Sequence, residues 1–320
     1  MTKIIITGGS GFIGTNLIER LLSRGDIDVL NIDIAPPRLK CRNDMWRQVD
    51  ITNKESLKHA VNEFKPDYIV GLAARTDIKG VNVNEYSANT VGVRNLVEIS
   101  KELPDLRKIV IASSMLVSKV GYVMKDIFDY NPPNAYGESK VETEKIIFSE
   151  NIPCDWCIIR PTSIWGEWFD TYRDFFTMVM RGRYFHFGKK SSTKTYGYVG
   201  NTAYQIEQLL FTDTSGRDNA GRVFYLGDEP AYFIEDWANE IADLSGKKIP
   251  RIPFWLIKSA ALVGDILKLF NISFPMNSFR LKNMTTDNII CLDNINNIAP
   301  NPPFERREGS IRAIKWIREH

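Results

Sequence analysis

Tyr136 and Lys140 stand four residues apart in Asn134-Ala135-Tyr136-Gly137-Glu138-Ser139-Lys140, a run that opens a helix continuing to about Ser149. Their side chains therefore share one helix face, a turn apart. A free phenol has a pKa of about 10 and is a poor base at neutral pH, but an ammonium beside it favours the phenolate. Such a phenolate can take a proton from a hydroxyl group and return it. Ser114 closes the run Lys108-Ile109-Val110-Ile111-Ala112-Ser113-Ser114, at the C-terminal end of a strand, where its hydroxyl can hydrogen-bond the same oxygen. A Tyr-x-x-x-Lys spacing is common by chance, and an exposed pair on a helix is its plainest explanation. The elements that precede it decide the matter.

The first of these is Thr7-Gly8-Gly9-Ser10-Gly11-Phe12-Ile13-Gly14. The β-branched run Ile4-Ile5-Ile6 before it reads as a buried strand, and Phe12, Ile13, Leu17, Leu21 and Leu22 recur at helical spacing after it. Gly8 lets the chain reverse tightly, Gly11 leaves room for a pyrophosphate against backbone N–H groups, and Gly14 lets helix pack on strand. The helix N-terminus faces the anion with unpaired donors and a favourable dipole. The next apolar run, Val29-Leu30-Asn31-Ile32, ends at Asp33, nineteen residues past Gly14. A dinucleotide-binding unit places there the acid that holds the adenosine ribose hydroxyls. An Asp repels a 2′-phosphate and so favours NAD over NADP, whereas Arg38, five residues on, is a side chain able to accept that phosphate. An oxidised nicotinamide would add a second positive charge beside Tyr136 and take a hydride while the phenolate takes the proton.

Further along, Trp46 to Val49 reads as a short strand, Asn53 to Phe64 as a helix, and Asp67 to Leu72 as another buried strand running into Ala73-Ala74-Arg75-Thr76-Asp77. Small residues at a strand's C-terminal end suit close approach of a ligand in the crevice of an open parallel sheet. Val83 to Leu103 reads as one long helix, Gly121 to Pro133 as a loop, and residues 154 to 159 as a strand that Arg160-Pro161 ends. Strands alternating with helices predict an α/β fold, a doubly wound parallel sheet of the Rossmann kind. From Ser163 the pattern turns irregular and aromatic, with Trp165, Trp168, Phe169, Tyr172, Phe175 and Phe176, as in a cap that covers a substrate. The expected division is a cofactor domain of residues 1–164 plus about 195–227, and a smaller substrate-binding lobe of about 165–194 and 228–320.

Among the 320 residues, 43% are hydrophobic and 25% charged, with a net charge of +2, which gives no argument for nucleic acid. The first strand starts almost at Met1, so cleavage of a leader would remove the phosphate loop, and a cytoplasmic protein is expected. The apolar stretch Phe254 to Phe270 is interrupted by Lys258, Asp265 and Lys268 and reads as an amphipathic helix, not a membrane span, docked on the core or lying on a membrane surface. Cys41, Cys154, Cys157 and Cys291 suggest a reducing compartment, and Cys154 and Cys157 fall on opposite faces of a strand as packing residues. His59, His186 and His320 have no metal-ligand spacing, so no metal is expected.

Taken together, the sequence resembles the extended short-chain dehydrogenase/reductases, in particular the NAD-dependent nucleotide-sugar epimerase/dehydratase family. The resemblance runs through essentially the whole chain. It is carried by Thr7 to Gly14, Asp50-Ile51, Leu72-Ala73-Ala74, Asn89 with Gly92, Ser113-Ser114, Tyr136 to Lys140, and Arg160-Pro161-Thr162. It implies a catalytic triad of Ser114, Tyr136 and Lys140, with Asp50 and Ile51 at the adenine. Ala73, Ala74, Asn89 and Pro161 would lie along NAD, while Arg75, Thr76, Ser163 and Lys194 would touch the substrate. It also implies a homodimer in which the helices about Val83–Leu103 and Ala135–Ser149 pair with their symmetry mates. Lys194 sits where many relatives have an Arg on the substrate diphosphate, a point charge in place of a fork. After Ser113-Ser114 the relatives usually have Val-Tyr-Gly, whereas here Val117-Ser118-Lys119 leads into a longer loop. The C-terminal part, Ile252 to Trp316, is similar to the hydroxysteroid dehydrogenase branch.

Three functions compete: an NAD-dependent epimerase or dehydrogenase of a nucleotide-diphosphate sugar, a dehydrogenase/isomerase of a hydrophobic sterol-like alcohol, and a catalytically idle NAD-binding regulator. The last is disfavoured by the presence of all three triad residues. Within the first, Met115 and Leu116 stand where 4,6-dehydratases carry an Asp-Glu pair, which argues for epimerisation at C4 without elimination of water.

Overall fold

The computed structural model describes residues 1–168, 170–188, 192–270, 272, 274 and 276–320, with only the backbone of Asp170, Thr171, Lys268, Leu269 and Phe279. Phe169 of the aromatic run and the Lys268 side chain of the amphipathic stretch lie outside it. The chain divides into two compact units, one of residues 1–164, 197–228 and 291–304, the other of residues 165–196, 229–290 and 305–320.

The first unit is built on a parallel sheet of seven strands: β1 (Thr2–Thr7), β2 (Ile27–Asp33), β3 (Trp46–Gln48), β4 (Tyr68–Gly71), β5 (Lys108–Ala112), β6 (Asp155–Pro161) and β7 (Val223–Leu226). Their spatial order is β7-β6-β5-β4-β1-β2-β3. The chain leaves β1 toward β2 on one side and later returns to β4 on the other, so the order reverses between β1 and β4. That reversal opens a crevice at the C-terminal strand ends, where open α/β sheets bind ligands. The inner strands β1, β4 and β5 are largely apolar runs because both faces are covered, whereas the edge strand β3 is polar and exposed. Helices α2 (Lys54–Phe64), α3 (Val93–Ser100) and α4 (Ala135–Ser149) cover one face through Leu57, Val61, Leu96, Val97, Ile146 and Ile147, packed on Ile5, Ile69 and Ile109. Each such side chain removed from water stabilises the fold by about 1.5–3 kcal/mol. On the other face α1 (Phe12–Leu22) packs against α5 (Val199–Phe211), and Arg20 Nε meets Glu207 Oε2 at 2.5 Å.

Where the sequence predicts one helix over Val83–Leu103, the backbone makes three pieces: a 3₁₀ turn Val83–Tyr86, a π-helical turn Ala88–Gly92, and α3. Asn82 and Glu85 form a reciprocal cap on the first. The wide second turn sets Asn89 toward the Arg75 peptide and Gly92 against Ile51, where a Cβ would overlap the Ile51 side chain. Tertiary contacts override helical periodicity here.

In the second unit, the helix Phe254–Leu269 buries Ile257 and Ala261 against Leu281, with Phe187 and Met276 beside them. No helix among the described residues is long and apolar enough to cross a membrane.

Candidate active site

The glycine loop is shaped for a close-fitting anion. Gly8 has φ +76°, and a Cβ there would lie 2.5 Å from the Ala73 N, so only glycine serves where β1 and the β4 end converge. Gly11 is the N-cap of α1, with extended backbone and no side-chain cap, and Phe12 and Ile13 open the helix behind it. A capping side chain at Gly11 would fill the space a phosphate needs. Asp33, the last residue of β2, ties its carboxylate to this loop, Oδ2 accepting from Ser10 N at 3.0 Å and Oδ1 from Ala35 N at 3.0 Å. Arg38 folds back to the same place, its Nε donating to the Ser10 carbonyl at 3.0 Å. Acid and guanidinium thus flank one residue of the phosphate loop. These residues fit a dinucleotide, with the pyrophosphate at the α1 N-terminus and the adenosine ribose at Asp33.

Ser114, Tyr136 and Lys140 come together across β5 and α4. Ser114 lies two residues past β5, and its Oγ, which accepts the Leu116 N–H at 3.1 Å, is near enough to the Tyr136 phenol to influence its titration. Burial pushes the Tyr136 phenol above its ordinary pKa, the Ser114 hydroxyl pulls it down, and neighbouring Tyr86 adds to the rise. Lys140 is buried, donates Nζ to the Ala112 carbonyl at 2.8 Å, and is pushed down to about 8 by burial, with Glu144 opposing the shift. At neutral pH the ammonium therefore keeps its charge and supplies a positive potential on the face of α4 that carries the phenol.

Two supports for this constellation are absent from the sequence reading. Tyr86 is fully buried, packs against Tyr136 with ring centroids 6.0 Å apart and planes tilted by 56°, and donates its hydroxyl to the Asp77 carbonyl at 2.8 Å. Glu144, one turn beyond Lys140, accepts Ser113 Oγ at 2.5 Å, Tyr130 OH at 2.9 Å, and Arg160 Nε at 2.8 Å and Nη2 at 2.6 Å. Arg160 also donates to Tyr225 OH at 3.1 Å and to the Ile127 carbonyl at 2.8 Å. One buried polar network thus locks the end of β5, α4, β6, β7 and the loop before α4, and satisfied networks of this kind rigidify what they connect. The i+4 spacing of Glu144 from Lys140 was the available signal.

The remaining expected site residues occupy varied settings. Ala73 and Ala74 line the end of β4 and are half-buried. Ile51 is buried against Gly92, while the exposed Asp50 carboxylate caps Thr52, accepting from its N and Oγ1 at 2.8 Å each. Asn89, expected along NAD, is fully buried and clamps Arg75, accepting its N–H at 2.9 Å and donating to its carbonyl at 3.1 Å and to Ser139 Oγ at 2.8 Å. Its place is beneath the β4 end, holding that end to the helix of Tyr136. The Arg75 guanidinium pairs with Asp77 at 2.7 Å and lies over Tyr86, and Thr76 beside it is exposed. Pro161 ends β6 opposite Leu226, two residues before Ser163. Lys194, in the second unit, donates Nζ to the Asn283 carbonyl at 2.7 Å, and burial pushes its pKa down. A cavity of about 500 Å³ in the second unit is lined by Arg173, Arg181, Ser245 and Arg318 and by none of the residues expected from the sequence.

Comparison with known proteins follows the same lines. The model of the NAD dependent epimerase/dehydratase family matches residues 4–205. The chain is 29% identical over 266 residues to a 3-beta-hydroxysteroid dehydrogenase of Mycolicibacterium neoaurum, covering 78% of this chain and 72% of that one. It is 24% identical over 329 residues, 98% of this chain and 95% of the other, to the N-acetyl-alpha-D-glucosaminyl-diphospho-ditrans,octacis-undecaprenol 4-epimerase of Escherichia coli O157:H7. In fold it matches the UDP-glucose 4-epimerase of Thermotoga maritima, solved with UDP-glucose, at a TM-score of 0.75 and 19% identity over 99% of both chains. It likewise matches the UDP-glucuronic acid 4-epimerase of Bacillus cereus, solved with NAD, at 0.73 and 18% identity over 99% of both chains. Since the matched residues make up well over half of its length and include the glycine loop and the Tyr136–Lys140 helix, this protein belongs to the NAD dependent epimerase/dehydratase family.

Proposed function

We propose that the protein epimerises a nucleotide-diphosphate sugar at C4, through a 4-keto intermediate, using NAD that stays bound through the cycle. The observation that carries this reading is the meeting of three buried side chains, Ser114 at the end of β5 beside the Tyr136 phenol, and Lys140 one turn along α4 with its Nζ on the Ala112 carbonyl. NAD, held by the glycine loop and Asp33, would supply a reversible hydride acceptor, and its positive ring would offset the burial that raises the phenol's pKa. Tyr136 takes the C4 hydroxyl proton as the carbinol C–H bond gives up its hydride, and Ser114 holds the oxygen in line. After the sugar turns over, the hydride returns to the opposite face and Tyr136 gives the proton back, so nothing is consumed. The match to the E. coli 4-epimerase over nearly the whole chain supports this stereocentre. In the same reading the cofactor is NAD and not NADP, the unit is a homodimer, and the compartment is the cytoplasm.

A second reading, dehydrogenation of a sterol-like alcohol with net release of NADH, is supported by the identity to a 3-beta-hydroxysteroid dehydrogenase. Incubating the purified protein with UDP-glucose or UDP-N-acetylglucosamine and no added cofactor separates the two. C4 epimers in the proton NMR spectrum support the first reading. Stoichiometric NADH formation from a sterol with added NAD, and no sugar product, supports the second.

A further inference from the structure

The helix Phe254–Leu269 in the second unit has two apolar faces. Ile257 and Ala261 are buried, and Gly264 lies so near the Met276 carbonyl that a Cβ there would collide with it. The opposite face points to solvent. Trp255 is 65% exposed, Ile266 56% and Phe270 70%, with Leu262 and Val263 between them also exposed. At 3.6 residues per turn these side chains fall within an arc of about 100° and run about 22 Å along the helix. Core packing accounts for the first face and leaves the second, a continuous stripe, without a partner among the described residues.

The surroundings of the stripe are positively charged. Residues 247–290 contain seven Lys or Arg and two Asp or Glu, a net of +5 in a chain whose total is +2. Lys247, Lys248, Lys258 and Lys282 are exposed. Both acids already receive backbone N–H groups, Asp265 from Ser278 at 3.1 Å and Asp287 from Thr193 at 2.8 Å.

We propose that this face seats the protein on a membrane surface that carries anionic lipid. The stripe enters the boundary between headgroups and acyl chains, with Trp255 at its end, and the basic segment meets the lipid phosphates. A second copy of the chain is the poorer occupant, because a two-fold contact would press the same positive segment against itself. The inference does not depend on which substrate the active site takes.

The test is co-sedimentation of the full-length protein with vesicles made of equal parts phosphatidylglycerol and phosphatidylcholine, or of phosphatidylcholine alone. Binding to the anionic vesicles, weakened by salt and weaker on the neutral ones, is the expected result. Leu262→Glu with Ile266→Glu should lower that binding about tenfold or more, while NAD titration and thermal melting confirm an intact fold. Should that variant misfold, Lys258→Glu with Lys282→Glu, which spares the stripe, should still reduce binding to anionic vesicles. Failure of the wild-type protein to sediment with either vesicle would overturn the proposal. So would a dimer in light scattering that the Leu262→Glu, Ile266→Glu variant dissolves.

Discussion

Glu144 and Arg160 form a two-pronged ion pair with both side chains at most 1% exposed, one helical turn beyond Lys140. The pair joins the strand that delivers Ser114 to the helix that delivers Tyr136, since Ser113 Oγ donates to the same carboxylate. Removing one partner strands a buried charge, so Arg160→Ala should lose about 3–5 kcal/mol of stability in denaturant unfolding. Glu144→Gln is the more telling change. The Glu144 charge raises the Lys140 pKa against the burial that brings it to about 8. Without it Lys140 loses its proton at lower pH, and the alkaline limb of the pH–rate profile should move to lower pH. An unmoved limb in a folded Glu144→Gln enzyme would detach Glu144 from the chemistry.

Tyr136→Phe should lower turnover by about 10²–10⁴ and leave NAD affinity unchanged, because only the proton-transfer group is removed. Lys140→Ala should damage both. In ultraviolet difference titration of the chain without NAD, the Tyr136 phenol should ionise above its ordinary pKa, since burial raises it, and NAD should lower that value. A Tyr136→Phe enzyme with most of its activity intact would place the base elsewhere.

Asp33 and Arg38 converge on Ser10 from opposite chemical sides, one carboxylate on its N–H and one guanidinium on its carbonyl. NAD is expected to bind more tightly than NADP in fluorescence titration, because the carboxylate accepts ribose hydroxyls and repels a phosphate. Asp33→Asn should narrow the gap, removing the repulsion and keeping Arg38 in place. Equal affinities in the wild-type protein would mean that Arg38 prevails.

Much of this arrangement was legible in the sequence, and what was missed has a common cause. Strands β1, β2, β4, β5 and β6 and helix α4 followed from local pattern because each is buried as a unit, and the short, exposed edge strand β3 was read as well. Residues 291–304, which return to the first unit, and β7, which pairs with β6 from more than sixty positions away, are long-range choices that no local pattern announces. The break in Val83–Leu103 comes from the Asn89 side chain reaching Arg75, a contact invisible at helical spacing. Glu144 drew no notice, and Arg160 read only as the end of a strand, because each acquires its meaning only from the other.

A homodimer is expected at micromolar concentration, through the faces of α3 and α4. Arg94, Glu138 and Lys145 are exposed there, with Val91 exposed in the turn before α3. Light scattering should give about twice the mass of the 320-residue chain. A monomeric mass would remove the four-helix pairing from the reading.

The reaction should stop short of eliminating water, and the reason lies beside Tyr136. A 4,6-dehydration needs an acid and a base beyond the tyrosine, to protonate the leaving hydroxyl and to take a proton from the carbon next to the ketone. Immediately after Ser114, where such groups would be carried, the chain makes a 3₁₀ turn, Met115–Val117. Leu116 of that turn packs against the cluster of Tyr86, Ala135 and Tyr136. Neither Met115 nor Leu116 can move a proton, and Leu116 makes the wall beside the phenol apolar. A keto-sugar formed here can therefore only take its hydride and proton back. With a UDP-hexose as substrate, the products should be the C4 epimers and no 4-keto-6-deoxy sugar, as read by NMR after prolonged incubation. Met115→Asp with Leu116→Glu should not by itself create a dehydratase, since carboxylates at these half-buried positions, the second against Tyr136, would raise the phenol's pKa further and slow the first proton transfer. A 4-keto-6-deoxy product from the wild-type protein would show that another pair of side chains supplies the acid and the base.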